Sequence, residues 1–306
     1  MHEAMTPATP STRQTLSYLR NLFAERGIKP KNKLGQNFLI DLNLLDLVLR
    51  SAELTREDLV LEVGSGTGSL TVRLVEQAGA VVSVEIDADF AALTDEEVTQ
   101  RDRIALLRAD VLKNKNEISP LVLHAVADLG QRCGTQRVKL VSNLPYAVAV
   151  PVITNLLIGE LAVERMVVTV QWEIAERLLA SPGTKDYGAM AVLVQSLAEV
   201  ELVRRLSPKV FWPRPLVDSA IVCIRPNADK RRHVGDPRRF RAFLRDLYVH
   251  RRKNLRGALA ALPNRDLSKS DVDARLADLG IDGAIRAEAL DLEQHLRLCG
   301  VFGSAL

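Results

Sequence analysis

The sequence has few cysteines and no long apolar segment. Its three cysteines, Cys133, Cys223 and Cys299, are odd in number and far apart, so they do not suit a disulfide framework or a metal site. No run of about 18 apolar residues exists, which argues against a membrane-spanning helix. The stretch MHEAMTPATPSTRQ lacks the apolar core of a secretory signal, and we expect a flexible arm there. These features favour free thiols in a reducing cytoplasm.

The net charge of +3 conceals two basic segments. Residues 204–256 contain 16 Lys and Arg against 4 Asp and Glu, and residues 13–33 contain 6 against 1. The remainder of the chain is therefore acidic. Two basic segments on an otherwise acidic protein indicate a polyanionic partner such as a nucleic acid. Solvated helix faces and a basic linker would give the same counts, so charge alone leaves both interpretations open.

Apolar segments that alternate with helical ones predict the fold. Five Val, Ile and Leu-rich segments, each bounded by turn signals, read as strands at 58–64, 80–87, 104–110, 138–145 and 165–171. Continuous apolar strands separated by helices are typical of a parallel sheet covered on both faces. Two further strands, 200–207 and 219–226, are joined only by a proline-rich loop, which predicts an antiparallel pair.

The sequence thus predicts an α/β protein with a Rossmann-like, doubly wound sheet of seven strands, the last one antiparallel. The polar segment NADKRRHVGDPRR, from residue 227, reads as a linker. Everything beyond it has helical periodicity, including one helix over 240–262, and Ser270 or Ser268 and Gly280 suit the two ends of another helix. We therefore expect a small all-helical domain at the carboxyl end.

A glycine loop, Glu62-Val63-Gly64-Ser65-Gly66-Thr67-Gly68, ends the first strand. Glycines at such a turn let the backbone approach a ligand at a helix N-terminus. The spacing G-x-G-x-G differs from the dinucleotide motif G-x-G-x-x-G, and no Gly-Lys-Ser/Thr follows to cradle a phosphate. A tight strand–helix turn would look similar, but the pattern favours a cofactor without phosphates.

Two carboxylates follow at the next strand ends. Glu85 closes the second strand, where it can accept both hydrogen bonds of a ribose diol. Asp110 closes the third strand and can accept a bond from the exocyclic amine of an adenine. With Gly64 and Gly66, these residues predict a site for S-adenosylmethionine at the carboxyl edge of the sheet. Ordinary strand-end carboxylates are the alternative.

The fourth strand ends in Asn143-Leu144-Pro145-Tyr146. An adenine amine is a poor nucleophile, and hydrogen-bond acceptors can hold its N–H bonds as positive charge develops. We expect the Asn143 side-chain carbonyl and the Leu144 backbone carbonyl to be those acceptors. Pro145 would stiffen the turn, and Tyr146 would stack on a flipped-out base. Direct in-line methyl transfer needs no metal. A strand that ends in a proline turn with a buried tyrosine is the alternative.

The chain resembles the KsgA-type ribosomal RNA adenine dimethyltransferases over roughly residues 28–303. The blocks that carry the resemblance are KNKLGQNFL, LEVGSGTGSLT, VEID, NLPY, VQWEIAERLLASPGTKDYG, FWPRPLVDSAIV and HRRKNLRGAL, all in order. The resemblance implies dimethylation of N6 on two adjacent adenosines near the 3′ end of small-subunit ribosomal RNA, late in subunit assembly. It implies a monomer that uses S-adenosylmethionine and acts on the immature small subunit.

The resemblance also implies roles for further residues. Gln36, Asn37, Leu39 and Asn143 would close over the cofactor, and Phe211 would form the wall of an adenine pocket opposite Tyr146. The RNA-binding residues would be Arg251, Arg252, Lys253 and Arg256. The implied domains are an N-terminal arm and helix at 1–27, a cofactor-binding catalytic domain at 28–228 and a helical RNA-binding domain at 229–306.

Two alternatives remain, together with some departures from the family pattern. An Erm-type enzyme, which modifies large-subunit RNA, shares the cofactor loop, although FWPRPLVDS and RRKNLR fit the small-subunit class better. A non-catalytic ribosome-assembly factor could keep the same fold. Ser65 stands where a proline is usual, and Ala147 follows Tyr146 where many members have asparagine. The N-terminal arm and a loop over 113–137 look expanded.

Overall fold

A computed structural model describes residues 16–31, 35–263 and 267–304. The predicted N-terminal arm before Leu16 lies outside these residues, and so does part of the KNKLGQNFL block. The strands are β1 (Phe38–Leu39), β2 (Asp58–Val63), β3 (Ala80–Glu85), β4 (Ile104–Arg108), β5 (Leu112–Asn114), β6 (Glu117–Ile118), β7 (Arg137–Asn143), β8 (Val163–Gln171), β9 (Ala198–Leu206), β10 (Phe211–Trp212) and β11 (Ser219–Pro226).

Thirteen α-helices connect or follow these strands in the described part of the chain. They are α1 (Leu16–Arg26), α2 (Leu42–Ala52), α3 (Ser69–Gln77), α4 (Ala88–Glu97), α5 (Pro120–Cys133), α6 (Tyr146–Ile158), α7 (Trp172–Leu179), α8 (Ala189–Gln195), α9 (Ala228–Val234), α10 (Pro237–Val249), α11 (Leu255–Leu259), α12 (Lys269–Leu279) and α13 (Leu292–Phe302). In the described residues, none is long and apolar enough to cross a membrane.

Seven strands form the central sheet, in the order β4-β3-β2-β7-β8-β11-β9. The pairs β2–β3, β2–β7, β3–β4 and β7–β8 are parallel, so their carboxyl ends meet at one edge. All six residues of β2 are buried because helices cover both faces. The outer strand β9 instead has mostly exposed or half-buried residues. The predicted seven-stranded α/β sheet and the helical carboxyl-terminal part are confirmed.

Two small antiparallel pairs accompany the sheet, β1 with β10 and β5 with β6. The first pair brings Leu39 opposite Phe211, next to the main apolar core. A second apolar cluster joins α1 to the segment before α2: Phe23 of α1 packs against the rings of Phe38 and Phe90. This packing fixes the segment that contains Gln36 and Asn37 against the first helices of the fold.

Three local predictions are wrong. Residues 228–234 form helix α9, capped by Asn227, and Asp236 caps α10, so the segment is not a linker. Residues 113–137 include most of the β5–β6 hairpin and all of helix α5, so they are not an expanded loop. The helix predicted over 240–262 is interrupted at residues 250–254, where Asn254 caps the short α11. Capping side chains explain the first and the third of these errors, because Asn227, Asp236 and Asn254 each accept a backbone N–H at a helix start.

The chain divides into two compact units. The first contains the described residues up to Trp172 together with Leu202–Cys223, and the second contains Glu173–Glu201 and the described residues from Ile224 onward. The second unit thus includes α7 and α8, which precede β9 in the chain. The domain boundary at residue 228 remains a prediction.

Candidate active site

A cavity of about 260 Å³ opens at the carboxyl edge of the sheet, within the first unit. We call it the sheet-edge cavity. Its walls come from the segment before α2, the glycine loop and the ends of β3, β4 and β7: residues 35–39, 45, 62–67, 69–70, 84–86, 109–111, 143, 145 and 147–148. Every predicted cofactor residue lines it: Gln36, Asn37, Leu39, Gly64, Gly66, Glu85, Asp110 and Asn143.

The Glu85 carboxylate is fixed by backbone donors. The Gly66 N–H donates to Glu85 Oε2 at 3.0 Å, and the Asp87 N–H donates to Oε1 at 2.9 Å. Gly66 reaches this position with φ +55°, and an added Cβ would stand 2.8 Å from the Phe38 ring. Burial raises the pKa of the Glu85 carboxyl above its ordinary value, against the lowering effect of these N–H donors. Each carboxylate oxygen retains acceptor capacity toward a ligand.

Glu62 is a second buried carboxyl at the cavity, which our cofactor prediction did not include. Its Oε2 accepts hydrogen bonds from Thr71 Oγ1 and Ser83 Oγ, each at 2.6 Å. Its Oε1 is buried and has no partner among the described residues. Burial raises the pKa of Glu62 to about 7, with the neighbouring Glu85 charge contributing in the same direction. The acidic residue before the glycine loop was the signal that could have identified it.

Gln36 is held from two sides. Its amide donates to Asp87 Oδ2 at 3.0 Å, and its Oε1 accepts from the Lys31 N–H at 2.6 Å. Lys31 Nζ also lies 2.8 Å from Asp87 Oδ2. Burial alone would raise the pKa of Asp87, but the bonds from Lys31 and Gln36 hold it below its usual range. Asp87, two residues after Glu85, thus anchors the segment that borders the cavity.

Asn143 ends β7 at the cavity wall. Its Nδ2 donates to the backbone carbonyl of Asn37 at 2.8 Å, which fixes the side-chain amide. The Oδ1 atom receives no hydrogen bond from the described residues. Leu144 is buried and is not among the residues that line the cavity, so the predicted role of its backbone carbonyl stays a prediction. Pro145 packs so closely on the glycine loop that a Cβ at Gly64 would stand 3.0 Å from its ring.

Tyr146 begins helix α6. Its side chain is held by Ser219, which, like Glu62, our prediction of the site did not include. Its hydroxyl lies 2.7 Å from Ser219 Oγ, which is fully buried at the start of β11. Burial raises the pKa of the Tyr146 hydroxyl above its ordinary value, so the group is a neutral hydrogen-bonding partner. Ala147, the next residue, is exposed and lines the cavity.

Asp110 and Phe211 lie in contrasting environments. Asp110 is exposed at the cavity, and its Oδ1 accepts the Leu112 N–H at 2.9 Å. Phe211 is buried in the apolar core and is not among the residues that line the cavity. In this conformation its ring packs with the side chains around Leu39 rather than facing a ligand. Its predicted contact with a base stays a prediction.

The four predicted RNA-binding residues lie in the second unit and fall into two groups. Arg251 pairs with Glu288 at 2.9 Å and contacts the Lys185 carbonyl, and Arg256 pairs with Asp273 at 2.5 Å. Arg252 and Lys253 are exposed in the loop 250–254, and their side chains have no ion pair or hydrogen bond among the described residues. We call this segment the basic loop. Only two of the four cations are therefore available without breaking an ion pair.

Comparison with known proteins identifies the family. Residues 27–300 match the model of the ribosomal RNA adenine dimethylase family. The chain belongs to this family. "Ribosomal RNA small subunit methyltransferase A" from Pediococcus pentosaceus is 37% identical over 91% of this chain and 92% of the relative. The protein of the same name from Moorella thermoacetica is 36% identical over 94% and 95%.

Two solved structures share the fold of this family member. A dimethyladenosine transferase from Plasmodium falciparum has a TM-score of 0.67 at 23% identity, covering 84% of this chain and 94% of its own. The 23S rRNA methyltransferase ErmE has a TM-score of 0.60 at 26% identity, covering 87% and 99%. The resemblance inferred from the sequence motifs is confirmed at the level of family, methyltransferase class and fold.

Proposed function

We propose that the protein dimethylates N6 of two adjacent adenosines near the 3′ end of small-subunit ribosomal RNA, using S-adenosylmethionine. The observation that carries this proposal is the hydrogen bond from Asn143 Nδ2 to the Asn37 carbonyl. It turns the side-chain carbonyl of Asn143 into a fixed acceptor at the wall of the sheet-edge cavity. A fixed acceptor is what a weakly nucleophilic amine requires as it gains positive charge.

The protein's own groups would act on the target adenine in three ways. Asn143 Oδ1 and the Leu144 carbonyl would accept the two N–H bonds of the amine and favour its tetrahedral geometry. Tyr146, oriented by Ser219, would stack on the flipped-out base. Pro145, packed against Gly64, would keep the two acceptors in place. S-adenosylmethionine, when bound, would supply an electrophilic methyl group for direct displacement.

The cavity suits this cofactor because its polar groups match a cationic nucleoside. The buried Oε1 of Glu62, which has no partner in residues 16–31, 35–263 and 267–304, can accept a hydrogen bond from a ligand, and the cofactor carries an ammonium group and a sulfonium charge. Glu85 would accept the ribose hydroxyls, and Asp110 the adenine amine. We expect Glu85→Ala to weaken cofactor binding at least tenfold in calorimetry, whereas Glu76→Ala, an exposed carboxylate on α3, should have no effect. An unchanged dissociation constant for Glu85→Ala would refute the ribose assignment.

The choice of the small subunit rests on the relatives. The two described above carry the name "small subunit methyltransferase A" and are 37% and 36% identical, whereas the Erm-type structure is 26% identical. The test is to map dimethyladenosine in the host's small-subunit RNA with and without this protein. Transfer to purified immature small subunits but not to naked large-subunit RNA is expected. The reverse preference would favour the Erm-type activity, and no transfer to either would favour an assembly factor.

We further propose that the protein acts as a monomer on the immature small subunit, in the cytoplasm and without a metal. None of the three cysteines forms a disulfide in the structure, which suits a reducing compartment. Direct displacement at the methyl group leaves no step for a metal ion to activate. Analytical ultracentrifugation, alone and with immature subunits, tests the stoichiometry. Transfer that is unchanged by a chelator is the expected result for the chemistry.

A further inference from the structure

An arginine stacks on a tryptophan in the first unit. The guanidinium carbon of Arg205 lies 4.2 Å from the centroid of the Trp172 ring. Trp172 follows β8 directly, and Arg205 is the penultimate residue of β9. The Arg205 side chain is 55% exposed although one face of its guanidinium covers the indole. The pair therefore presents a flat cation to solvent.

Asp218 holds this pair in place. Its Oδ2 accepts from Arg205 Nε at 2.8 Å and lies 2.7 Å from Nη2, while its backbone carbonyl accepts the Trp172 N–H at 2.9 Å. A long exposed side chain normally loses conformational entropy when a ligand fixes it. Here most of that ordering is already complete. The carboxylate also neutralises the arginine, so the pair is a surface for stacking rather than a site for phosphate.

The position of the pair relates it to the proposed base site. Asp218 is followed directly by Ser219, whose hydroxyl holds the Tyr146 hydroxyl at 2.7 Å. The Cα atoms of consecutive residues are about 3.8 Å apart. Arg205 and Tyr146 are thus anchored to neighbouring residues of one short segment. That proximity suits two successive nucleotides of one RNA strand.

We propose that Arg205, stacked on Trp172, binds the base of the nucleotide next to the target adenosine. The inference rests on the proposed function, because Tyr146 defines the target position. The flanking base stacks on the exposed face of the guanidinium, giving the order indole, guanidinium, base. Guanidinium planes and aromatic rings are the surfaces on which single-stranded RNA bases stack. The ligand is a single-stranded nucleotide recognised by the face of its base.

The first test measures binding without cofactor. A fluorescent single-stranded RNA that contains two adjacent adenosines is titrated with the full chain, and anisotropy gives the dissociation constant. Arg205→Ala should weaken binding about tenfold, in the range of stacking losses for one base. Arg205→Lys keeps the positive charge but removes the planar guanidinium group, so it should weaken binding nearly as much. Arg225→Ala removes another exposed arginine, paired with Glu201 at 2.6 Å, and should change binding less than about twofold.

The second test removes the flanking base itself. The same RNA is made with an abasic position on the 5′ side or the 3′ side of the adenosine pair. Wild type should bind one of the two abasic strands about tenfold more weakly than it binds the intact strand. Arg205→Ala should bind that abasic strand and the intact strand with the same affinity. The subsite is refuted if Arg205→Ala binds like wild type, if Arg225→Ala weakens binding equally, or if the abasic loss persists undiminished in Arg205→Ala. Should Arg205→Ala fail to fold in thermal unfolding, Arg205→Lys carries the same comparison.

The outcomes separate this inference from the proposed function. If removal of the flanking base weakens RNA binding only when Arg205 is present, but no methyl is transferred to small-subunit RNA, the subsite is supported and the proposed function is rejected. Normal transfer with no Arg205 dependence would keep the function and reject the subsite. In the transfer assay, Arg205→Ala should raise KM for the immature subunit about tenfold and leave kcat within about twofold.

Discussion

The sheet-edge cavity and the basic loop represent two ways of building a binding surface. At the cavity, Glu85 and Asn143 are held by backbone groups, and the buried Oε1 of Glu62 lacks a partner within the part of the chain that the structure describes. In the basic loop, Arg252 and Lys253 extend into solvent without partners among the described residues. The first surface is ordered before any ligand arrives, whereas the second is defined only by charge and exposure.

This difference determines how each region should respond to mutation. A preorganised site depends on the position of single atoms, so one substitution there should have a large effect that salt does not reverse. A solvated basic loop acts through counterion release, so its contributions should be small, additive and sensitive to salt. Substitutions at Asn143, Gly66 and Glu62 on the one hand, and in the basic loop on the other, should therefore differ in the size of their effects.

Asn143→Ala should give the largest effect. Removing the acceptor should reduce methyl transfer to immature small subunits by at least about a hundredfold, the range seen when one preorganised hydrogen-bonding group is lost from an active site. Cofactor binding by calorimetry should survive within a few-fold. Asn114→Ala removes an exposed asparagine from the β5–β6 hairpin and should leave transfer unchanged. Wild-type turnover in Asn143→Ala would remove the proposed role.

Gly66→Ala should destabilise the cavity more than an ordinary glycine substitution does. The new Cβ meets Phe38 at 2.8 Å, and the backbone has φ +55°. Strain and overpacking together should lower the free energy of unfolding by about 3 kcal/mol. Gly134 has φ +66°, and a Cβ added there would have no atom within 4 Å. Gly134→Ala therefore introduces backbone strain without overpacking and should lower the free energy of unfolding by about 1 kcal/mol. Equal losses in urea unfolding would show that the Phe38 contact is irrelevant.

Glu62→Gln should change the pH dependence of stability. The pKa of Glu62 is raised from 4.5 to about 7 in the folded protein, so the folded state binds this proton more tightly than the unfolded state. The contribution of Glu62 to the free energy of unfolding is fully present below pH 4.5 and is lost as the pH rises through about 7. The loss lowers the free energy of unfolding by about 3 kcal/mol. The variant should therefore gain stability over wild type at pH 8 but not at pH 4.5.

The measurement for Glu62 is urea unfolding at both pH values without cofactor. Glu76→Gln, an exposed glutamate on α3, is the matched control and should follow the wild-type profile. A constant difference between Glu62→Gln and wild type across this pH range would show that Glu62 does not titrate in the predicted window.

The paired substitution Arg252→Ala with Lys253→Ala should give the smallest effect. Binding of single-stranded RNA should weaken only a few-fold, and the slope of log affinity against log salt should fall by about 1.4, or about 0.7 for each lost phosphate contact. Arg132→Ala, an exposed arginine of α5 paired with Asp128, should leave the slope unchanged. An unaltered slope in the paired variant would exclude the basic loop from the RNA interface.

The sequence predicted the cavity better than it predicted the connections. Gly64, Gly66, Glu85, Asp110 and Asn143 were found because each follows an apolar strand, and parallel strands end at one edge. Helix α9 and the β5–β6 hairpin were missed because charged, polar segments carry no apolar periodicity. The interruption at residues 250–254 was missed because the helical pattern resumes after it. Capping by Asn227 and Asn254 shows how local hydrogen bonds override such patterns.

The α/β class, the seven strands and the residue types at the strand ends follow from the sequence alone, because burial forces apolar periodicity. The partners of those residues follow from the tertiary structure. Asn143 meets the Asn37 carbonyl across 106 positions, and Tyr146 meets Ser219 across 73. Arg205 reaches Trp172 in the same way. Such contacts depend on how strands order themselves in the sheet, and strand order is set by packing rather than by any local pattern.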